Sequence, residues 1–170
     1  MPILWTAFFV SGVAGLSYEL TWVRYLGQVL GGATVAVSAT VAVFFAGMAL
    51  GSWAGGRMLA SRRRPALAYA ALEAAIGLVA LALPAMLGGL RGLLSTRPAT
   101  ASVVEPLLAS SAVLLLPTAL LGATYPAMVA TARRVAGPTR SAALPYGLNT
   151  LGAMLGCLLV SLWWLPALGL

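Results

Sequence analysis

The sequence has no lysine, aspartate or histidine, and it holds three glutamates and one cysteine, Cys157. A single cysteine cannot form a disulfide within the chain, and a zinc site built from cysteine and histidine is excluded. Glutamate is the only general base available, and neither a GxGxxG pattern nor a P-loop occurs. We therefore expect no catalytic residue, no cofactor and no metal ion, and we expect Cys157 to pack as a small apolar side chain.

Charged residues of any kind are scarce. They make up 8% of the 170 residues, whereas apolar residues make up 61%, and the mean hydropathy is +0.99. A soluble domain carries about a quarter charged residues, and apolar runs of about 20 residues are long enough to cross a bilayer as helices. The sequence predicts a single all-α domain over residues 1–170, a polytopic transmembrane bundle. Its five predicted spans cover residues 3–26, 33–55, 65–87, 106–129 and 142–165.

The net charge of +7 comes from arginines that lie in short clusters between the apolar spans. Such clusters are typical of topology signals in a multi-pass protein, and we expect no nucleic-acid partner. Seven arginines follow the second and fourth spans, against two between the third and fourth. The seven are Arg57, Arg62, Arg63, Arg64, Arg133, Arg134 and Arg140. The positive-inside rule predicts that they and the N-terminus lie on the cytoplasmic side of the cell's inner membrane.

All five tryptophans fall near predicted span ends. This position is typical of the aromatic belt at a membrane interface. We therefore expect the tryptophans to mark the two membrane boundaries.

Two short sequence similarities suggest an internal repeat. GLSY at 15–18 resembles GATY at 122–125, and the spacing of Gly47, Leu50 and Gly51 matches that of residues 152, 155 and 156. A repeat of three helices would make this chain one helix short of a three-plus-three plan. Because the sequence holds 19 glycines, chance similarity explains these matches equally well.

Small residues are spaced for close helix packing. Gly47, Gly51 and Gly55 share one face of the second span, and Gly152 and Gly156 share a face of the fifth. Ser11 and Gly15 have the same spacing in the first span. Missing side chains let helices approach closely in lipid, so we expect contacts within the bundle. A homodimer face is the alternative.

Two glutamates fall inside predicted spans, Glu19 in the outer half of the first and Glu73 in the inner half of the third. A charged side chain at a helix centre costs about 2.5–3.5 kcal/mol on insertion scales. Each carboxyl is therefore neutral, paired, or directed to a wet cavity. Pairing that fixes helix register and binding of a cation or proton remain equal alternatives. Polar residues that could add hydrogen bonds to such a cavity, or join helices, are Tyr18, Tyr125, Tyr146 and Asn149.

Four segments carry a family resemblance. They are SGVAGLSYELTWVRYLG at 11–27, GMALGSWAGGRMLASRRRP at 47–65, LLLPTALLGATYPAM at 114–128 and YGLNTLGAMLGCLL at 146–159. In this order the chain resembles the N-terminal membrane domain of membrane-bound spermidine-synthase-like proteins, in which a major-facilitator-like domain is fused to a polyamine aminopropyltransferase. The four segments are spread over residues 11–159. One departure is Ser61, which stands where the family's loop would carry an acidic residue.

The resemblance implies a domain that anchors an aminopropyltransferase module or handles a small cationic substrate at the membrane. The family's catalytic half is a soluble Rossmann-like domain, which this chain lacks, and no catalytic residue carries over. Expected partners are the lipid bilayer, a separate or downstream aminopropyltransferase domain, and a second copy of the chain. The alternatives are a standalone small transporter or half-transporter that dimerises through a glycine face, and a scaffold subunit of a membrane complex.

Overall fold

The computed structural model describes residues 2–30, 33–59, 63–94, 104–137 and 143–168, and within them the only regular structure is helical. The helices are α1 (Pro2–Leu30), α2 (Ala33–Leu59), α3 (Pro65–Leu94), α4 (Val104–Ala136) and α5 (Ala143–Leu159). α5 continues through a π-helical turn, Val160–Trp164, into a last helical turn, Leu165–Leu168. Five helical segments are long and apolar enough to cross a membrane. The predicted all-α transmembrane bundle is therefore confirmed.

Proline shapes the end of the fifth span. Leu165 donates its N–H to the Val160 carbonyl, a bond that spans one residue more than in an α-helix. Pro166 follows directly and has no N–H to donate to the carbonyl four residues earlier. The wider π-helical turn lies where this hydrogen bond is missing from the helix. The prolines inside α3 and α4 end neither helix; they are Pro84, Pro117 and Pro126.

α2 and α4 pack against each other through glycine. A Cβ atom added to Gly51 would overlap the backbone of Ala119 and Ala123, and one added to Gly122 would overlap the backbone of Met48. Gly55 lies one turn further along, where a Cβ would be 2.9 Å from the Pro126 ring. The contacts advance in the same order along both helices, so α2 and α4 are parallel.

α1 and α5 form a second pair of the same kind. A Cβ atom on Gly12 would overlap the Asn149 carbonyl, and one on Gly152 would overlap the Phe9 carbonyl. At Gly156 the obstacle is Val13. These contacts also advance together, so α1 and α5 are parallel, and both pairs are as close as their backbones allow.

The two pairs are related as an inverted repeat. Ser11 and Met48 line one cavity, while Trp22 and Leu26 near the end of α1 share a core cluster with Ala39 near the start of α2. α1 and α2 are therefore antiparallel. If α1 corresponds to α4 and α2 to α5, each pair maps onto the other with the chain direction reversed, as in inverted transporter repeats.

The glycine contacts align the two helix pairs in a different register from the one that the sequence similarity suggests. Gly12, rather than Gly15, is equivalent to Gly122. Likewise Gly51 and Gly55, rather than Gly47 and Gly51, correspond to 152 and 156. The difference is about one helical turn in both helices. α2 has three glycines at intervals of four residues, Gly47, Gly51 and Gly55. Sequence similarity therefore fits either register, and only the partner helix distinguishes them.

α3 lies against α4 and α1. Near the start of α3, buried Tyr69 packs with Phe8 and Met128, and its ring meets Phe8 edge-on at 5.2 Å between centroids. Towards its other end, Ile76 and Leu87 join the larger core cluster. α3 therefore runs parallel to α1.

The tryptophan side chains do not all have the interfacial position that was predicted for them. Trp53, Trp163 and Trp164 are exposed near helix ends, as expected for interfacial residues. Trp22 lies near the end of α1 but is only 3% exposed, because it packs in the core and stacks on Tyr18 at 5.9 Å. The prediction of an interfacial side chain is wrong for Trp22, because the position of a residue along a helix does not reveal which face of the helix it occupies.

Candidate functional site: a cavity between the two helix pairs

A cavity of about 380 Å³ lies between the α1–α5 pair and the α2–α4 pair. Tyr125 and Tyr146 stand at its rim, where they are exposed and meet edge-on with centroids 6.3 Å apart. Its lining comes from four helices: Ser11, Gly12, Gly15, Leu16, Phe44, Met48, Ser52, Leu121, Thr124, Tyr125, Met128, Tyr146, Asn149 and Ala153. The walls are mainly apolar with a few polar groups, as in small-molecule sites generally.

The cavity lies in the half of the bundle that is nearer the start of α1, α3 and α5. Ser11 is nine residues from Pro2 and Asn149 is six residues from Ala143, which corresponds to roughly 14 and 9 Å along a helix. The ends of α2 and α4 lie at this same end. The cavity is therefore closer to the arginine-bearing end than to the opposite one.

The serine and threonine hydroxyls in the cavity are oriented by bonds within the protein. Ser52 donates to the Gly122 carbonyl at 2.9 Å, and Thr124 donates to the Leu121 carbonyl at 2.6 Å. Ser11 donates to Glu73 Oε1 at 2.6 Å. Because each hydroxyl has a single proton and these are its acceptors, the lone pairs of the three oxygens remain as acceptors for a ligand.

Asn149 adds an amide oxygen to this set. Its Nδ2 donates to the Phe8 carbonyl at 3.1 Å, which joins α5 to α1 beside the glycine contact at Gly12. That bond fixes which end of the amide is nitrogen, because a carbonyl cannot donate. The oxygen is therefore an acceptor of known orientation next to the cavity.

Glu73 lies behind the cavity and not on its wall. Its carboxylate accepts the Ser11 hydroxyl, whose residue does line the cavity, and the Tyr69 side chain is within hydrogen-bonding reach of both. Tyr18 is close enough to interact electrostatically with Glu73. Ser11, Tyr18, Tyr69 and Glu73 thus form a polar cluster, the α1–α3 cluster, which joins two helices.

Glu19 lies on the cavity face of α1, beyond the cavity itself. It follows Gly15 by four residues and precedes buried Leu26 by seven, spacings that put all three on one side of the helix. The side chain is half-buried, and among the described residues no hydrogen bond or ion pair joins it to another group. Arg24, five residues further along, is not its partner.

The structure therefore divides the predicted site residues into two groups. Tyr125 and Asn149 line the cavity, and Glu19 stands one turn beyond it on the same face. Tyr18 and Glu73 belong to the α1–α3 cluster. The sequence alone did not single out the hydroxyls of Ser52 and Thr124, because a hydroxyl in an apolar helix often bonds the carbonyl one turn earlier, as those of Thr118 and Thr131 do.

The predicted packing glycines lie inside the bundle. A Cβ on Gly47 would overlap the Thr118 side chain, and Gly51 and Gly55 likewise face α4. Gly152 and Gly156 face α1. The face proposed as an alternative homodimer contact is thus occupied by α4, which leaves no room there for a second copy.

The described topology arginines lie at one end of the bundle. They are Arg57, Arg63, Arg64, Arg133 and Arg134, at the ends of α2 and α4 and before α3. Arg57 lies over the exposed Trp53 ring at 4.2 Å, a cation–π contact suited to an interface. Arg62 and Arg140 lie outside the described residues. Within the described ranges no three metal-ligating side chains cluster.

Comparisons with protein-family models, curated proteins and solved structures found no match.

Proposed function

We propose that this chain is the membrane domain of a spermidine-synthase-like protein and that its cavity holds a small cationic substrate such as a polyamine. The domain itself is not catalytic. It keeps an aminopropyltransferase module at the inner membrane, with its arginine-rich end and N-terminus in the cytoplasm, as the positive-inside rule favours.

The direction of the hydrogen bonds in the cavity is the observation that supports a cationic substrate. The hydroxyl protons of Ser11, Ser52 and Thr124 all point to protein acceptors. A ligand then meets lone pairs from these oxygens and from the Asn149 amide. Such a lining suits an ammonium group, which only donates hydrogen bonds, while the hydroxyls of Tyr125 and Tyr146 at the rim can donate as well as accept.

Charge supports the same assignment. None of the residues that line the cavity is an arginine, so nothing in the lining repels a cation. Glu19 stands one turn beyond, half-buried and facing the protein interior. When ionised, it supplies the opposite charge, and a cation in the cavity would offset the cost of keeping a carboxylate at this depth.

The family resemblance points to the same region. Every residue that lines the cavity, with the exception of Phe44, falls within the four segments that resemble the spermidine-synthase-like membrane domain. The segments at 11–27 and 146–159 supply one helix pair, and those at 47–65 and 114–128 supply the other. A substrate site shared with that family would explain why the four resembling segments surround the cavity.

Equilibrium binding of radiolabelled spermidine to the purified protein in nanodiscs tests the proposal. We expect Glu19→Gln and Asn149→Leu each to weaken binding about tenfold or more, since a hydrogen bond to a charged group contributes about 1.5–3 kcal/mol. Glu105→Gln is the matched control, because this exposed acid lies in the first turn of α4, away from the cavity. Equal affinity in Glu19→Gln and the control, or no binding by the unmodified protein, would reject the proposal.

Transport of the cation is a second candidate, favoured by the inverted repeat of the two helix pairs. Uptake of spermidine into proteoliposomes distinguishes it from binding alone. Binding without uptake supports the anchoring domain, whereas uptake that Glu19→Gln abolishes supports a transporter.

A further inference from the structure

A second cavity, of about 370 Å³, lies on the outer surface between the start of α3 and the end of α4. Three arginines border it: Arg63, Arg64 and Arg134. Its other walls are Pro65, Ala66, Leu67, Thr131 and Val135, and no acidic residue is among them. We name it the α3–α4 groove.

The groove combines positive charge with exposed apolar surface. Leu67 is 62% exposed and Val135 is 42% exposed. Across the groove, Arg134 Nη1 donates to the Arg63 carbonyl at 2.9 Å. This bond ties the end of α4 to the segment before α3, so the guanidinium groups border a preformed surface.

The depth of the groove matches that of a lipid headgroup. α3 begins at Pro65 and α4 ends at Ala136, so the arginines lie at the end of two membrane-length helices. Leu67 lies just inside the start of α3, where acyl chains begin, whereas Val135 lies beside Arg134 at the end of α4. A ligand that fits must therefore carry negative charge at the helix ends and hydrocarbon alongside the helices.

We propose that the α3–α4 groove binds an anionic phospholipid, with its phosphodiester among the three guanidinium groups and an acyl chain along Leu67. Arginine suits phosphate because its planar fork can donate two parallel hydrogen bonds. Basic pockets between membrane helices on the cytoplasmic side recognise acidic headgroups on the same physical grounds. This proposal does not depend on the substrate of the larger cavity.

Native mass spectrometry of the full chain tests it. The protein is released from detergent that contains equal amounts of phosphatidylglycerol and phosphatidylcholine, and the bound lipids are counted. We expect phosphatidylglycerol to predominate on the unmodified protein. The double variant Arg63→Gln/Arg64→Gln should weaken phosphatidylglycerol binding about tenfold or more, because each basic residue contributes about 1 kcal/mol to attraction of acidic lipid.

The control is Arg57→Gln/Arg133→Gln. It removes the same charge from the same end of the bundle, but neither residue borders the groove. Near-normal phosphatidylglycerol binding by the control supports the groove. Equal losses in the two double variants would show diffuse attraction by the arginine-rich end, and an unchanged Arg63→Gln/Arg64→Gln protein would show that the groove binds no lipid; either result overturns the proposal.

A third arm distinguishes lipid from free phosphate. Inorganic phosphate, added at the same concentration as the lipid, should leave phosphatidylglycerol in place because it has no hydrocarbon to pack along Leu67. Displacement at that concentration would overturn the lipid assignment. The helix content of each variant, measured by circular dichroism, shows whether a loss of binding reflects a loss of fold.

Discussion

Gly51→Ala is the most direct test of the close pairing of α2 and α4. The new methyl group would be 2.7 Å from the Ala119 carbonyl carbon and 2.9 Å from the Ala123 nitrogen. Ordinary contacts between such atoms are about 3.5–4.0 Å, and the Ala119 carbonyl oxygen lies closer still. The helices must therefore separate by at least about 1 Å. A gap of that size forfeits a quarter to a half of the dispersion energy of the neighbouring contacts.

Gly56 provides the matched control, because no atom lies within 4 Å of the position of its Cβ. Both substitutions lie in α2, and both gain about 0.8–1.0 kcal/mol of helix propensity. Only Gly51→Ala also carries the overpacking cost of about 1–3 kcal/mol. The two variants should therefore differ in unfolding free energy by about 1–3 kcal/mol, with Gly51→Ala the less stable.

Unfolding of the detergent-solubilised protein by sodium dodecyl sulfate, followed by circular dichroism, measures this difference. Gly152→Ala and Gly147→Ala repeat the comparison in α5, where position 152 faces the Phe9 backbone and position 147 is open. If alanine at positions 51 and 56 shifted the unfolding midpoint equally, the close α2–α4 contact would be refuted.

Two further predictions concern the α1–α3 cluster and the orientation of the bundle. Ser11→Ala removes the hydroxyl that donates to Glu73 and should lower stability by about 1–3 kcal/mol. The same loss in a Glu73→Leu background, where no acceptor remains, would show that the two residues do not interact. The second prediction uses a membrane-impermeant maleimide on single-cysteine variants in a Cys157→Ser background. Leu93→Cys should be labelled in intact cells and Leu144→Cys only after permeabilisation, since the two positions lie at opposite ends of the bundle. The reverse pattern would contradict a cytoplasmic arginine-rich end.

The sequence predicted the spans well because lipid leaves few alternatives. A segment in hydrocarbon must satisfy its own backbone hydrogen bonds, so length and hydropathy are enough to predict a helix. The helix ends were less well predicted: α3 reaches Leu94 and α4 reaches Ala136, seven residues beyond the predicted ends at 87 and 129. Helices can continue past the hydrocarbon, and hydropathy does not report where they stop.

The rotation and partner of each helix could not be predicted in the same way. The closest pairs, α1 with α5 and α2 with α4, are not neighbours in sequence, and Ser11 meets Glu73 across 62 residues. Glu19 and Glu73 looked alike in sequence because both are carboxylates in apolar runs. Their difference arises from helix packing, which gives Glu73 a hydroxyl donor and turns Glu19 towards the cavity side.

The reversed correspondence between the two helix pairs has a consequence for how the chain enters the bilayer. Turned upside down, the glycine contacts of one pair coincide with those of the other, although α3 has no counterpart. The internal contacts of the bundle are the same whichever way it crosses the membrane. Packing energy then gives little preference for one orientation, and the choice depends on the guanidinium groups at the two ends. A few substitutions among those arginines could therefore yield a mixed population in which some molecules insert the opposite way, each with an intact interior.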